Sequence, residues 1–134
     1  MLVCDLDGFK RVNDRFGHLT GNRLLIAVAE GFRRSCRGHD FIARMGGDEF
    51  VLLIENLSAD ELGRRISQFR ETVRSIGRQV CGEDIVDASF GASFFPQDGT
   101  TPDALLAAAD HQMYRRKGEQ KSGVRQMEQR KVAT

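Results

Sequence analysis

Tryptophan is absent, proline occurs twice and cysteine three times in 134 residues. So little proline excludes a proline-rich extended chain, and 40% hydrophobic residues against 29% charged ones exclude a disordered one. Cys4, Cys36 and Cys81 are odd in number and scattered. They exclude a disulfide framework and a cysteine metal cage, and they suit a reducing compartment. The longest apolar run, Leu24 to Ala29, is far below the roughly 20 residues of a membrane span. No basic-then-apolar leader opens the chain, because Met1-Leu2-Val3-Cys4 meets Asp5 at once. The expectation is a cytoplasmic segment with no membrane contact of its own, which leaves open a membrane-anchored parent. No sign of charge dominates either. The net charge of +1 argues against a nucleic-acid partner. Residues 115–134 nevertheless carry +5 and the first 114 residues −4. That basic end reads as a solvated helix terminus or as a contact for anions.

What is present is a sequence of short periodic segments. Leu2-Val3-Cys4 is an apolar strand running into the turn-like Asp5-Leu6-Asp7-Gly8. Phe9, Val12 and Phe16 have helical spacing that stops at Gly17. Thr20 is placed to cap a second helix, in which Leu25, Val28, Ala29, Phe32 and Cys36 form one stripe. Phe41–Met45 and Phe50–Ile54 read as strands of a hairpin around Gly46-Gly47-Asp48-Glu49, the second apolar on both faces. Ser58 opens a third helix. Val86 to Phe94 alternates as a half-buried strand, and Phe94-Phe95 reads as core. A last helix is expected from Pro102 to Lys117, then a closing edge strand at Val124–Met127. The fold class is α+β: a central, mostly antiparallel sheet flanked by helices, with one domain over 1–127 and a frayed tail over 128–134.

Two acidic pairs carry the chemical signal. Asp5 and Asp7 leave the first strand two residues apart, hence on one side, and Asp48 and Glu49 sit at the hairpin tip. Each acid alone is equally a turn residue. Together they form an oxygen-rich set suited to Mg²⁺, which takes one or two carboxylates and completes its shell with water and substrate phosphates. Such a set fits in-line attack on phosphorus. Glycines beside it let a polyphosphate approach the backbone. Cys4 reads as a small core residue, and His18, His39 and His111 share no metal-ligand spacing.

These residues fall into longer motifs. Asp5-Leu6-Asp7-Gly8-Phe9-Lys10-Arg11-Val12-Asn13-Asp14, Gly17-His18-Leu19-Thr20-Gly21 and Arg44-Met45-Gly46-Gly47-Asp48-Glu49-Phe50 resemble the GGDEF family of diguanylate cyclases. Ser89-Phe90-Gly91, Pro96-Gln97-Asp98-Gly99 and Ala109-Asp110 through Met113-Tyr114 to Lys117 continue the resemblance in order. It implies a cyclase-type, palm-like sheet and the condensation of two GTP into cyclic di-GMP and two pyrophosphates by a homodimer. It also implies Mg²⁺ or Mn²⁺ held by Asp5, Asp48, Glu49 and the carbonyl of Leu6, with Glu49 as catalytic acid and Lys117 neutralising the triphosphate. Phe9, Lys10, Gly46 and Gly47 would line the phosphates, with Asn13 and Asn22 at the guanine. Arg37-Gly38-His39-Asp40 is an RxxD motif five residues before Gly46. The resemblance makes it a product-inhibition site, with the Asp40 carboxylate accepting from guanine and Arg64 as a further contact.

Three features depart from the family pattern. Asn22 stands where a carboxylate is usual, and an amide offers the guanine edge only one acceptor. After Lys117 the chain reads Glu119-Gln120-Lys121-Ser122-Gly123, with Lys121 standing in as a point charge for a customary arginine. Members normally carry a helix roughly 30 residues before the first strand. Here Met1 falls inside that strand, so the expected fold has this N-terminal helix missing and an apolar patch uncovered. The alternative function is a catalytically weak GGDEF module acting as a cyclic di-GMP or GTP receptor, or as a dimerisation unit. A nucleic-acid polymerase palm shares the metal logic but would need template-binding segments that this chain lacks.

Overall fold

A computed structural model describes the backbone of residues 1–132 and the side chains of residues 1–118. The elements, in chain order, are β1 (Leu2–Asp7), α1 (Phe9–Phe16), α2 (His18–Ser35), β2 (Phe41–Gly46), β3 (Glu49–Leu53), α3 (Ala59–Cys81), β4 (Asp87–Ala92) and α4 (Pro102–Val132). The four strands form one open antiparallel sheet in the order β2-β3-β1-β4. β1 is thus a central strand with a neighbour on each side.

The period-two alternation of the strands divides the core into two layers. Leu2, Cys4 and Leu6 of β1, Phe50 and Leu52 of β3, and Ala88, Phe90 and Ala92 of β4 face α1–α3. Phe32 of α2 lies at the centre of that layer, edge-on to Phe50 and Phe69 at centroid distances of 5.7 and 5.3 Å. Such aromatic pairs add to the free energy of area burial. The opposite layer is thinner: Val3 and Val51 pack under Ala109 and Met113 of α4. Gly91 makes that docking possible, because a side chain there would collide with the carbonyl of Ala109 and with Met113.

Several boundaries differ from the sequence reading. α2 starts at His18, so Thr20 lies inside the helix. Gly17, with φ 88° and ψ 165°, makes the break between α1 and α2, where residues without glycine's freedom would continue the first helix. Ser58 does cap α3, accepting from the Glu61 N–H at 3.2 Å. The edge strand expected at Val124–Met127 is instead part of α4. The Glu-, Gln-, Lys- and Arg-rich sequence after Lys117 favours helix and offers no β-branched run. Residues 133–134 lie outside the described residues, as does the Lys121 side chain.

α4 does not reach the β2 end of its sheet face. Phe41, Leu53 and Phe95 remain 59%, 41% and 67% exposed. Phe95 is therefore surface, not core: β4 ends at Ala92 and the chain turns away before it. These residues border an open cleft of about 730 Å³ together with Met1, Leu57 and Leu105. Among the described residues no helix is long and apolar enough to cross a membrane.

Gly91→Ala should overpack the β4–α4 contact and lower the unfolding free energy by about 1–3 kcal/mol. A urea titration against the unaltered chain measures it.

Candidate active site

Strand register assembles the acids. Asp5 lies opposite Glu49 on β3 and opposite Ser89 on β4, so these three form a row across the sheet on its α4 face. Asp48, in the β2–β3 turn, is tied to the same place by its carbonyl, which accepts from the Leu6 N–H at 3.2 Å. Ala109 and Met113 seat α4 on the neighbouring row of valines. Lys117, one turn beyond Met113, then reaches the acids. Its Nζ is 2.8 Å from Asp5 Oδ2 and 3.6 Å from Asp7 Oδ1. Ser89 Oγ donates to Asp7 Oδ2 at 2.6 Å and orients that second carboxylate.

The electrostatics follow from crowding like charges on a partly dry surface. Burial pushes the Asp48 carboxyl above the usual carboxylate range, and the nearby Asp5 adds to it. Glu49 is raised too, first by burial and then by Asp110, Asp5 and Asp48. Burial alone would pull the Lys117 ammonium down, but its hydrogen bond to Asp5 and the charges of Asp5 and Asp7 hold it above the lysine norm. The Cys4 thiol, beneath the acids, is raised well up by burial and then by Asp5, Asp7 and Asp48. It is a core group, not a nucleophile.

A cleft of about 490 Å³ opens over this centre, lined by Asp5 to Arg11 with Asp14, Asp48 and Lys117. Lys10 is exposed at its rim and Phe9 half-buried in its wall. Gly8 turns β1 into α1 with φ 88°, and a side chain there would strike the Ile85 carbonyl. At the hairpin tip Gly46 and Gly47 have φ of 144° and 53° with open space where a Cβ would be. Arg44 closes that turn by donating to the Gly47 carbonyl at 3.1 Å. The Asn13 carboxamide fills the space left by the absent side chain of Gly21, beside exposed Asn22. The α1–α2 junction thus holds Asn13 against Gly21, the residue before Asn22.

Among the described residues no group of three or more His, Cys, Asp or Glu side chains stands ready-made around an ion. The donor set still fits a hard, hydrated divalent cation. Asp5 and Asp48 are mutually repelling oxygen donors with Lys117, among the described residues, as counter-charge, and Mg²⁺ needs no more than one or two carboxylates from protein.

The RxxD residues lie elsewhere. Arg37 and Arg64 border a small cleft of about 150 Å³, so the structure brings these two together across the turn and α3. Asp40 points inward, with its carboxylate oxygens accepting from the backbone N–H groups of Arg37 and Glu55 at 2.8 and 3.2 Å.

Sequence reasoning assigned no role to Asp110, Ser89 or Arg65. Asp110 precedes Lys117 by seven residues, a spacing that puts both on one helix face. Ser89 was legible only through register. Arg70 and Arg74 both grip Asp87, at 2.9 and 2.8 Å, and lock the start of β4 to α3; a helix and a strand must meet before that fork exists.

The fold has counterparts among known proteins. The family model described as diguanylate cyclase, GGDEF domain, matches residues 1–123. The bifunctional diguanylate cyclase/cyclic di-GMP phosphodiesterase MucR of Pseudomonas aeruginosa is 44% identical over 130 residues, 92% of this chain and 18% of its own length. The chain therefore spans less than a fifth of that relative. A sensory box/GGDEF family protein from Caulobacter crescentus superposes with a TM-score of 0.72 at 33% identity, over 88% of this chain and 78% of the other. The GGDEF domain of DgcB from the same organism, solved in complex with c-di-GMP, gives 0.74 at 30% identity, over 88% and 71%.

Because the Glu49 carboxyl is raised in the fold, the folded state holds its proton more tightly than the unfolded chain does. Glu49 thus costs stability as pH rises through and above the ordinary glutamate range. Glu49→Gln should raise the thermal midpoint of the metal-free chain at pH 7. The gain should vanish below pH ~4, where the carboxyl is protonated in both states. Differential scanning calorimetry at both pH values reads the difference.

Proposed function

The chain belongs to the diguanylate cyclase GGDEF-domain family, and we propose that it condenses two GTP into cyclic di-GMP with release of two pyrophosphates. The observation that carries the reading is the convergence of Asp5, Asp48 and Glu49 with Lys117 beside a glycine turn that has open space above it.

Asp5, Asp48, Glu49 and the Leu6 carbonyl would hold Mg²⁺ or Mn²⁺, which would neutralise phosphate charge and acidify a hydroxyl. Gly46 and Gly47 admit the triphosphate close to the backbone, with Phe9 and Lys10 at its far end. Lys117 exchanges its carboxylate partners for phosphate oxygens, a short move for a flexible ammonium. Asn13 and Asn22 hold the guanine edge. Glu49 accepts the proton of the attacking 3′-hydroxyl. The 3′-oxygen bonds to the α-phosphorus of the second GTP and the bond to pyrophosphate breaks; the same exchange in reverse sense closes the ring. One chain presents one GTP, so the reaction needs a homodimer with the two half-sites facing. Positioning and charge neutralisation supply the rate. Product returning to Arg37 and Arg64 restrains it, while the Asp40 carboxylate, turned inward, holds their turn instead of meeting guanine.

Incubation with equal GTP and ATP, Mg²⁺ or Mn²⁺ and a phosphodiesterase, followed by mass spectrometry, should yield a guanine-only dinucleotide. A mixed dinucleotide would mean that Asn22 broadens the base pocket. None from a folded chain would overturn the cyclase reading in favour of a receptor. Glu49→Gln should reduce product by at least about 10²-fold without unfolding the chain. Arg37→Ala, assayed by initial rates with added cyclic di-GMP, should relieve inhibition; unchanged inhibition removes the RxxD assignment.

A further inference from the structure

The corner where the Arg37–Asp40 turn meets α3 holds a buried charge that the proposed product contacts leave unexplained. The Asp40 side chain is 4% exposed. Its Oδ2 accepts from the Arg37 N–H at 2.8 Å and its Oδ1 from the Glu55 N–H at 3.2 Å. The Asp40 N–H donates back to the Arg37 carbonyl at 2.9 Å. This carboxylate pins the turn to the chain leaving β3, and in doing so it is removed from water. A desolvated anion persists only beside a partner.

Among the described residues the cation within ion-pair reach is Arg65, whose Nη2 lies 4.0 Å from Asp40 Oδ2. The Arg65 side chain is itself 15% exposed. Nη2 and Nη1 also donate to the Ser35 carbonyl at 3.4 and 3.5 Å, and the guanidinium carbon lies 5.0 Å over the Phe69 ring. One planar group therefore joins the last turn of α2, the carboxylate of the RxxD turn and an aromatic of α3. A lysine has neither the fork nor the flat face for this.

We propose that Arg65 is the positioning residue of the product-binding corner: by pairing with Asp40, it sets Arg37 opposite Arg64 across the cleft that all three arginines line. The inference rests on the reading that Arg37 and Arg64 bind cyclic di-GMP. Arg37 sits on the turn and Arg64 on α3, and the Arg65–Asp40 bridge is the charged link between those two walls. Arg65 lines the same cleft as its exposed neighbour Arg64, but its side chain is the more buried of the two and pairs with Asp40.

Isothermal titration of the chain with cyclic di-GMP tests this, using Arg65→Met, Arg65→Lys and Arg37→Ala. Methionine keeps an apolar stem over Phe69 and removes the charge. Arg65→Met should bind about tenfold more weakly, the scale of losing a hydrogen bond to a charged group, and Arg65→Lys should recover part of that loss. Unchanged affinity in Arg65→Met, with Arg37→Ala impaired, overturns the positioning role and leaves the product site standing. Unchanged affinity in Arg37→Ala, or no binding by the unaltered chain, overturns the product site itself. If Arg65→Met does not fold, Arg65→Lys decides: about threefold weaker binding supports the proposal, and unaltered affinity overturns it.

Discussion

Like-charge crowding along one row of the sheet is the constraint around which this structure is arranged. The β1–β3 register sets Asp5 against Glu49, and the hydrogen bond from Leu6 to the Asp48 carbonyl brings a third carboxylate beside them. Left alone, these groups repel one another on a surface that water only partly reaches. α4 supplies the answer by docking its small and flexible residues, Ala109 and Met113, on Val3 and Val51 and carrying Lys117 to Asp5. The closeness of that docking depends on Gly91 having no side chain. The packing of one helix and the charge balance of the acids are thus a single feature, and a hydrated cation would answer the same repulsion.

The two charged corners of the fold use charge in opposite ways. At the acid cleft, carboxylates stay half-exposed, Lys117 is a movable counter-ion and the glycine turn leaves space above it. At the RxxD corner the carboxylate of Asp40 is sealed in by backbone N–H donors and Arg65, while Arg37 and Arg64 remain outside. A buried, satisfied ion pair fixes geometry, whereas an exposed, frustrated one stays available for exchange. The larger cleft beside Phe41 and Phe95 lies at the other end of β1 from the acids, and its size has no bearing on the phosphate chemistry.

Most of the fold was legible because its signals are local. Alternation marked β4, the apolar run marked β3, Gly46-Gly47 marked the hairpin and Ser58 marked the start of α3. The failures came where neighbours or propensity outweighed a local pattern. Thr20 resembled a cap, yet the positive φ of Gly17 placed the break three residues earlier. Phe94-Phe95 resembled core, but β4 ends at Ala92 and Phe95 stays exposed. Val124–Met127 resembled a strand, but its surroundings are helix-forming residues and α4 continues through it.

The sequence by itself determined which chemistry is available: carboxylates at two turns, glycines where a phosphate could approach, a lysine in helical phase with Asp110, and an RxxD motif in register with them. These are properties of residue type and short spacing, which a chain carries whether folded or not. Tertiary structure alone decided how each group is used. Ser89 faces Asp7, Lys117 pairs with Asp5 across 112 residues, and Asp40 turns inward to Arg65 instead of outward to solvent. Those outcomes depend on strand register and on the closeness of helix docking. Both are set by long-range packing, and no local window contains the residues that compete for each contact.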